Sequence, residues 1–339
     1  MHMADALIAP AVAGTMYACS TGAAGYSIYK MKQSEELKKI PVMGVMGAFV
    51  FAAQMINFTI PGTGSSGHLA GGMLLSAVLG PFAGFITMIG VLLIQCLLFA
   101  DGGLLALGAN IWNMAFYGCF IGSFFIWLPA MRHGVTRRKI TIASIVGCVL
   151  TLQMGAFSVV LETTVSGITE LPFSAFVLAM QPIHLAIGLV EGVITAAVLN
   201  FVYEARPELL WTGYDAGTVE GLDHRKAKLS YGKTVGVLAV LAALVGGVLS
   251  LFASAFPDGL EWSISRLTGS TELESSGAIY QTTARIQEAT ALLPDYAFPH
   301  SDSIAGTSFS GILGGVVVIA FCMVVCQIIR YAQRKRRAK

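Results

Sequence analysis

The chain has 339 residues, of which 55% are hydrophobic and 12% are charged, and its formal net charge is +2. Soluble domains carry about 25% charged residues, so this composition cannot supply the polar surface of a two-domain soluble protein. It indicates a polytopic membrane protein instead.

Apolar stretches of membrane-spanning length recur along the chain, since a spanning helix needs about 20 apolar residues. The clear candidates are residues 5–29, 41–57, 104–130, 139–162, 177–203, 234–255 and 309–330. The stretch 69–99 is interrupted at Pro81 by "LGPFAG", and it forms either one kinked span or two short ones.

The positions of Lys and Arg decide between these two readings, because basic clusters mark cytoplasmic loops. The clusters are Lys30, Lys32, Lys38 and Lys39; Arg132, Arg137, Arg138 and Lys139; Arg225, Lys226, Lys228 and Lys233; and the tail "RYAQRKRRAK". All four clusters fall on the cytoplasmic side when 69–99 forms two spans. We therefore predict an all-α polytopic membrane protein with about nine transmembrane helices, its N-terminus outside and its C-terminus in the cytoplasm.

Seven of these spans precede residue 203 and two follow it, which divides the chain into two modules. We predict a first membrane module over 1–203, a cytoplasmic linker over 204–233, and a second module over 234–335 with an extracytoplasmic segment at 256–308. A cleaved signal peptide would need a basic region before its apolar run. Residues 1–6 contain no Lys or Arg, so we expect the N-terminus to be retained.

Cysteines and small residues follow the apolar runs. Because no CxxC spacing occurs, we expect small buried hydrophobic side chains rather than disulfides or a zinc site. The cysteines are Cys19, Cys96, Cys119, Cys148, Cys322 and Cys326. Small residues four apart allow close helix approach in lipid, either within this chain or against another membrane subunit. They are Gly14, Ala18 and Gly22 in the first span, and Gly44, Ala48 and Ala52 in the second.

The N-terminal sequence "MHMADALIAP" places an imidazole beside a free α-amine. A deprotonated amine, the amide nitrogen of His2 and its imidazole are three nitrogens joined by fused chelate rings, which the planar peptide keeps nearly coplanar. His68 closes the glycine-rich loop "NFTIPGTGSSGH" on the same predicted side and could supply a fourth. Planar nitrogen coordination favours Ni(II) or Cu(II). Spacing alone leaves an ordinary pair of interfacial histidines as the alternative.

Two further groups of polar residues are candidates. His184 and Glu191 are seven apart in "QPIHLAIGLVEG" and share one helix face. Ionisable groups inside a membrane are costly and usually functional, so they form a transit path, a support for the metal site, or a structural pair between helices. Asp258 and Glu261 in "FPDGLEWS" either hold a hard cation or form a turn and helix cap.

Nucleotide binding is excluded, because the glycine that a Walker motif needs before "GKT" at 232–234 is Ala227. No Ser-His-Asp or HExxH arrangement is visible either. The chain is therefore predicted to be neither an ATPase nor another enzyme.

Four motifs resemble the NikM/CbiM family, the substrate-binding membrane subunits of energy-coupling-factor (ECF) transporters for nickel and cobalt. They are "MHMADALIAPAV", "FAAQMINFTIPGTGSSGHLAGG", "FADGGLLALGANIWNMA" and "HLAIGLVEGVITA". The segment "ASAFPDGLEWS" with its flanking spans is similar to a PDGLE/NikN-type module. The resemblance covers about residues 1–203 and 230–335.

This resemblance implies a metal site made by the amine of Met1, the amide nitrogen and imidazole of His2, and the imidazole of His68. The start departs from the usual family pattern at Met3, Ala4 and Ala6 but keeps Asp5. Residues expected to support the site or line the metal path are Asn57, Ser66, His184 and Glu191.

The resemblance also implies separate partners that hydrolyse ATP, namely a transmembrane coupling subunit and ABC-type ATPase subunits in a prokaryotic cytoplasmic membrane. The predicted function is uptake of Ni2+ or Co2+ as cargo, with no cofactor and no nucleic-acid partner. Alternatives are cobalt uptake for cobalamin synthesis, a membrane-embedded metalloenzyme, which would need an open coordination position, and a passive channel.

Overall fold

The computed structural model describes residues 1–33, 40–213, 227–301 and 303–337. Its helices are α1 Pro10–Gln33, α2 Ile40–Gln54, α3 Gly72–Leu79, α4 Pro81–Phe99, α5 Leu107–Met131, α6 Arg137–Ser166, α7 Phe173–Ala205, α8 Tyr231–Gly247, α9 Gly259–Thr268, α10 Ala278–Thr290 and α11 Ala305–Arg337. An antiparallel hairpin joins β1 Phe58–Ile60 to β2 Ser65–Gly67. The basic positions Lys38, Lys39, Arg225 and Lys226, and residues 214–226 of the predicted linker, lie outside the described residues.

The protein is an all-α polytopic membrane protein, as predicted. Within the described ranges, six helical segments are long and apolar enough to cross a membrane: α4, α5, α6, α7, Tyr231–Phe252 and Ala305–Lys335. Of the other predicted spans, α1 is long but less apolar, and α2 is an apolar helix of 15 residues. The total of nine spans and their orientation stay predictions.

The stretch 69–99 forms two helices that meet at Gly80, as the charge argument required. Gly80 has φ 83°, and Pro81 begins α4. With 8 residues, α3 is about 12 Å long and does not reach across a hydrocarbon core of about 30 Å. Residues 65–69 before it, which include β2, are non-helical and buried in protein, where such backbone is tolerated at membrane depth. The predicted short span is therefore a half-length helix preceded by a buried loop.

The basic ends of the helices lie at one end of the bundle. Ser166, at the end of α6, accepts a hydrogen bond from the amide of Ala9, so α1 and α6 share the end at which the N-terminal segment lies. Their opposite ends carry the basic residues. There, Arg137 pairs with Glu204 of α7 at 2.9 Å. Lys228, before α8, also pairs with Glu204. This polarity agrees with the predicted cytoplasmic side.

The two rows of small residues have different surroundings. In α2, Gly44 packs against Ile319 of α11, and a methyl added at Gly246 of α8 would lie 3.1 Å from Ala52. This row is therefore used inside the chain. In α1, no atom lies within 4 Å of a methyl added at Gly14 or Gly22.

The cysteines are all free, as expected, and five of the six are buried. Cys19 is exposed, contrary to the expectation, because it lies on an outward face of α1 together with Ala18. Apolar composition places a residue in the membrane region but does not decide whether it faces protein.

Candidate metal site

The N-terminal segment enters the bundle instead of extending from it. Met1 is 5% exposed and Met3 is fully buried. Asn110 of α5 hydrogen-bonds both the backbone amide and the backbone carbonyl of Met3. Its Oδ1 accepts from the Met3 amide at 2.7 Å, and its Nδ2 donates to the Met3 carbonyl at 3.1 Å. The position of the first residues is thus set by helix α5, more than one hundred residues away.

The turn after α4 holds the same segment from another side. Gly103 donates its amide to the Met3 carbonyl at 2.9 Å, and a methyl at Gly103 would lie 1.9 Å from Oδ1 of Asp5. That Oδ1 accepts from the amide of Ala106 at 3.0 Å. A glycine is needed for this close approach, which gives the "FADGG" sequence a structural reason.

The Met1 amine is the centre of the site. It lies 2.7 Å from Nε2 of His68 and 2.6 Å from Oδ2 of Asp258. His68 Nδ1 lies 3.0 Å from the carbonyl of Leu69, which can only accept, so Nδ1 carries the proton and Nε2 has a free lone pair. The structure therefore brings a chain-terminal nitrogen and an imidazole nitrogen into direct contact.

His2 lies beside them, with its ring stacked on that of His68 at a centroid distance of 5.1 Å. Its Nδ1 is 3.1 Å from Oδ1 of Asp101, and its Nε2 is 3.2 Å from the Gln95 side-chain amide. Burial lowers the pKa of the His2 imidazole to about 4, although Asp101 acts in the opposite direction. His2 is thus neutral, as a metal ligand must be, but its Nδ1 faces Asp101 rather than the Met1 amine.

Side chains alone do not form a metal cage here. Among the described ranges, no group of three or more His, Cys, Asp or Glu is arranged to hold an ion. A site at this position requires main-chain nitrogen, which the Met1 amine and the His2 amide provide.

Glu191 supports the loop that carries His68. Its two carboxylate oxygens accept from the amides of Ala70 at 3.1 Å and Gly71 at 2.8 Å. Gly71 has φ 81°, the left-handed conformation that favours glycine. The predicted involvement of Glu191 therefore takes the form of a brace beneath the loop.

His184 is buried on the same helix but has a different environment. Its Nδ1 lies 2.7 Å from the carbonyl of Met180, and its Nε2 has no hydrogen-bond partner among the described residues. It lines a small cavity with Met1, His68 and Asp258. His184 and Glu191 share a buried face of α7, as the spacing predicted, but no hydrogen bond between them is found in the described structure.

Ser66 and Asn57 contribute contacts to the C-terminal part of the chain. The Ser66 amide donates to the Pro257 carbonyl at 2.8 Å, and its hydroxyl donates to the Phe256 carbonyl at 2.7 Å. The carbonyl of Asn57 accepts from Ser254 at 2.7 Å. Both residues hydrogen-bond the hairpin region to the segment before α9. Asn57 also lines a large cavity that His2, His68 and Asp258 line as well.

Asp258 and Glu261 form a helix cap, the second of the two readings of "FPDGLEWS". Oδ1 of Asp258 accepts from the amides of Leu260 and Glu261, and Glu261 accepts from the amide of Asp258. Burial by itself would raise the pKa of Asp258, but the neighbouring Met1 ammonium holds it well below its usual range. The contact between Asp258 and Met1, 257 residues apart, has no local sequence signal.

A cavity of about 530 Å3 leads to this site. It is lined by His2 and His68 and, among the residues that the structure describes, by no Lys or Arg. Its lining carboxylates are Asp5, Asp101, Asp258, Glu261, Glu272 and Asp295. Helix α10 covers one side, where Thr283 donates to Asp5 and Gln287 donates to the Gly102 carbonyl at 2.7 Å. Such a cavity attracts cations.

Comparison with known proteins agrees with this architecture. A fused nickel transport protein, NikMN, of Rhodobacter capsulatus is 27% identical and covers 94% of this chain and 95% of its own length. A candidate fused nickel transport protein, NikMN, of Archaeoglobus fulgidus is 35% identical over 98% of this chain and 100% of its own length. The crystal structure of a truncated transition metal transporter has a TM-score of 0.53 at 30% identity and covers 60% of this chain and 99% of that one.

Two family models divide the sequence between them. The model of the cobalt uptake substrate-specific transmembrane region, CbiM, matches residues 2–209, and the PDGLE domain model matches residues 232–331. The resemblance found in the sequence motifs is thereby confirmed. The chain belongs to the CbiM family of substrate-specific transmembrane proteins, and in it the CbiM region is followed by a PDGLE domain.

Proposed function

We propose that this chain is the substrate-binding subunit of an ATP-driven ECF transporter that imports Ni2+ or Co2+. Its cargo would be captured by four nitrogens: the amine of Met1, the amide and imidazole nitrogens of His2, and Nε2 of His68. The first module would occupy residues 1–203 and the PDGLE module residues 234–335, joined by the linker 204–233. The relatives named as nickel transport proteins support this class of cargo.

The observation that carries the proposal is the contact between the buried Met1 amine and His68 Nε2 at 2.7 Å. With metal–nitrogen bonds of about 2 Å, two neighbouring ligands in a square lie about 2.8 Å apart. The two nitrogens are therefore already at the spacing of adjacent corners. Binding further needs a rotation of the His2 imidazole, which would move Nδ1 away from Asp101 so that it closes a chelate ring with the His2 amide nitrogen, and the loss of one proton each from the amine and that amide.

The donor set favours nickel as cargo. Planar nitrogen coordination is preferred by Ni(II) and Cu(II), whereas tetrahedral sites suit zinc. The Met1 amine and the His2 amide must each lose a proton before they can bind a metal, so capture weakens as the pH falls. Cobalt uptake for cobalamin synthesis is the alternative, and the CbiM family model supports it.

Energy for transport is proposed to come from partners, namely a transmembrane coupling subunit and ABC-type ATPase subunits in the prokaryotic cytoplasmic membrane. The incomplete Walker motif around Ala227 supports this division of labour. Metal would be captured outside and released inwards, in the orientation that the basic helix ends favour. The metalloenzyme alternative is disfavoured, because four protein nitrogens leave no in-plane position open.

The capture site is tested by His2→Ala and His68→Ala, which remove the two imidazoles that the proposal assigns to the metal. Both variants are expected to lose stoichiometric nickel and the absorption band of planar nickel. His133→Ala, at an exposed position at the other end of the bundle, is the control and should retain both. Stoichiometric planar nickel in the His2→Ala variant would show that the site is wrong.

Transport is tested by uptake of radiolabelled nickel and cobalt into cells that express the chain with and without coupling and ATPase subunits. Uptake that needs the partners and ATP supports the proposed mechanism. Equal flux without them would indicate a passive channel instead.

A further inference from the structure

The two carboxylate oxygens of Asp258 face different parts of the molecule. Oδ1 accepts the amides of Leu260 and Glu261 at 2.8 and 2.9 Å and so caps α9. Oδ2 lies 2.6 Å from the Met1 amine and 3.7 Å from Nε2 of His68. One side chain of the PDGLE domain therefore reaches the centre of the site built by the CbiM region.

We propose that Asp258 is a positioning residue, which holds the Met1 amine against His68 so that the PDGLE domain completes the metal-capture site. This inference rests on the proposed function, since it assumes that Met1, His2 and His68 bind the cargo. It assigns a task to a residue whose role as a helix cap would not require the contact with Met1.

A chain-terminal amine needs such a partner to stay in place. Rotation about the single bonds of Met1 can carry its nitrogen away from His68 without distorting any bond length or bond angle. A buried ammonium without its counter-charge is strongly unfavourable, so the carboxylate restricts the amine to one position. A metal-bound amine keeps two N–H bonds, and Oδ2 can remain the acceptor of one of them after metal binds.

The carboxylate itself is held from both sides. Ser66 of β2 binds the carbonyls of Phe256 and Pro257 just before it. On the other side, Gly259 approaches α7 so closely that an added methyl would lie 3.1 Å from Cε1 of His184 and 2.9 Å from Cδ1 of Ile187. The segment around Asp258 is therefore fixed between the hairpin and α7. The consecutive Asp and Gly of the PDGLE sequence have distinct tasks, the first as anion and the second as the point of close approach.

The test distinguishes the role of Asp258 as the N-cap of α9 from its ion pair with the Met1 amine. Asn and Ser are both good N-cap residues, so Asp258→Asn and Asp258→Ser keep α9 capped while they remove the charge that faces Met1. Glu261→Gln is the matched control, because it neutralises a carboxylate three residues further along the same helix without a contact to Met1. Unfolding midpoints of all variants in detergent identify any loss of fold.

The first measurement needs no metal. An aldehyde reagent specific for N-terminal amines, followed by mass spectrometry, reports how accessible the Met1 amine is. We expect Asp258→Ser to be labelled faster than the parent chain and Glu261→Gln to be labelled at the parent rate. Equal labelling of the Ser variant and the parent would overturn the proposal.

The second measurement is a nickel titration followed by the planar-nickel absorption band. Loss of a group that orients a ligand typically weakens metal binding about 10–100-fold, so both Asp258 variants should show a Kd raised by about that factor and the same band at saturation. A Kd equal to that of the parent would overturn the proposal. If the parent chain binds nickel without a planar band, the capture site is wrong, and faster labelling of the Ser variant still supports the placement of the amine by Asp258.

Discussion

Replacing Glu191 by Gln tests whether the brace beneath the His68 loop matters for metal capture. Each carboxylate oxygen of Glu191 accepts one backbone amide, from Ala70 and from Gly71. The Gln side chain offers one acceptor oxygen and an NH2 group, so one of the two amides faces another donor. The variant keeps the size of the side chain, and the change is confined to this pair of hydrogen bonds.

The expected magnitude follows from these two bonds. A buried amide left without an acceptor costs about 1–3 kcal/mol, which we expect to see as a lower free energy of unfolding. Because the affected residues directly follow His68, its Nε2 should lose its fixed distance to the Met1 amine. Groups that orient metal ligands contribute about 10–100-fold in affinity, so the nickel Kd should rise by this factor, about 1.4–2.8 kcal/mol.

The assay is a nickel titration in detergent or nanodiscs, with Glu162→Gln as the matched control. Glu162 is also a buried carboxylate, on α6, and accepts from Asn113 at 2.7 Å and from Ser158 at 3.1 Å. Among the described residues it makes no hydrogen bond or ion pair with the His68 loop, so its variant should lose stability but keep the parent Kd. If Glu191→Gln binds nickel as tightly as the parent, or if both variants weaken binding equally, the argument for the brace is refuted.

Two more predictions concern packing and protonation. Gly311→Ala would place a methyl 2.1 Å from the carbonyl oxygen of Gly246, so we expect it to lower the free energy of unfolding by about 1–3 kcal/mol. The control Gly236→Ala has open space around it and should change this free energy by no more than about 0.5 kcal/mol. Equal thermal unfolding midpoints for the two variants would contradict the close contact of α8 and α11. For His2, burial lowers the folded-state pKa from the ordinary 6.5 to about 4. The unfolded chain therefore binds a proton first as the pH falls, and the stability of the metal-free protein should decrease between about pH 6.5 and 4. The NMR signal of the His2 ring should stay at its neutral position above pH 5, and a titration midpoint above 6 would show that the ring is not buried.

The sequence by itself determined the features that depend on composition and on covalent neighbours. Apolar runs predicted the long helices α4 to α7, because burial in lipid depends on composition rather than on contacts with particular partners. The positions of the basic clusters predicted a break near Pro81, where α3 and α4 meet. The proposed chelating pair of Met1 and His2 was recognisable because its three nitrogens are joined by a single peptide unit.

The tertiary structure decided what depends on distances between remote segments. That α3 is a half-length helix depends on the buried residues 65–69, whose surroundings come from other parts of the chain. The row at Gly44 packs against α11 while the row at Gly14 is exposed, although both have the same four-residue spacing. Sequence periodicity fixes which residues share a face, but it does not say what covers that face.

The candidate site also combines residues that the sequence indicated with a contact that only the tertiary structure shows. The motifs indicated Met1, His2 and His68, and the structure added the contact of Met1 with Asp258, which is 257 residues away. "FPDGLEWS" predicted a helix cap, and one oxygen of Asp258 does serve it. The second oxygen faces the N-terminus because Ser66 and α7 fix the segment there. A contact of this kind is set by the packing of two modules, and no local pattern encodes it.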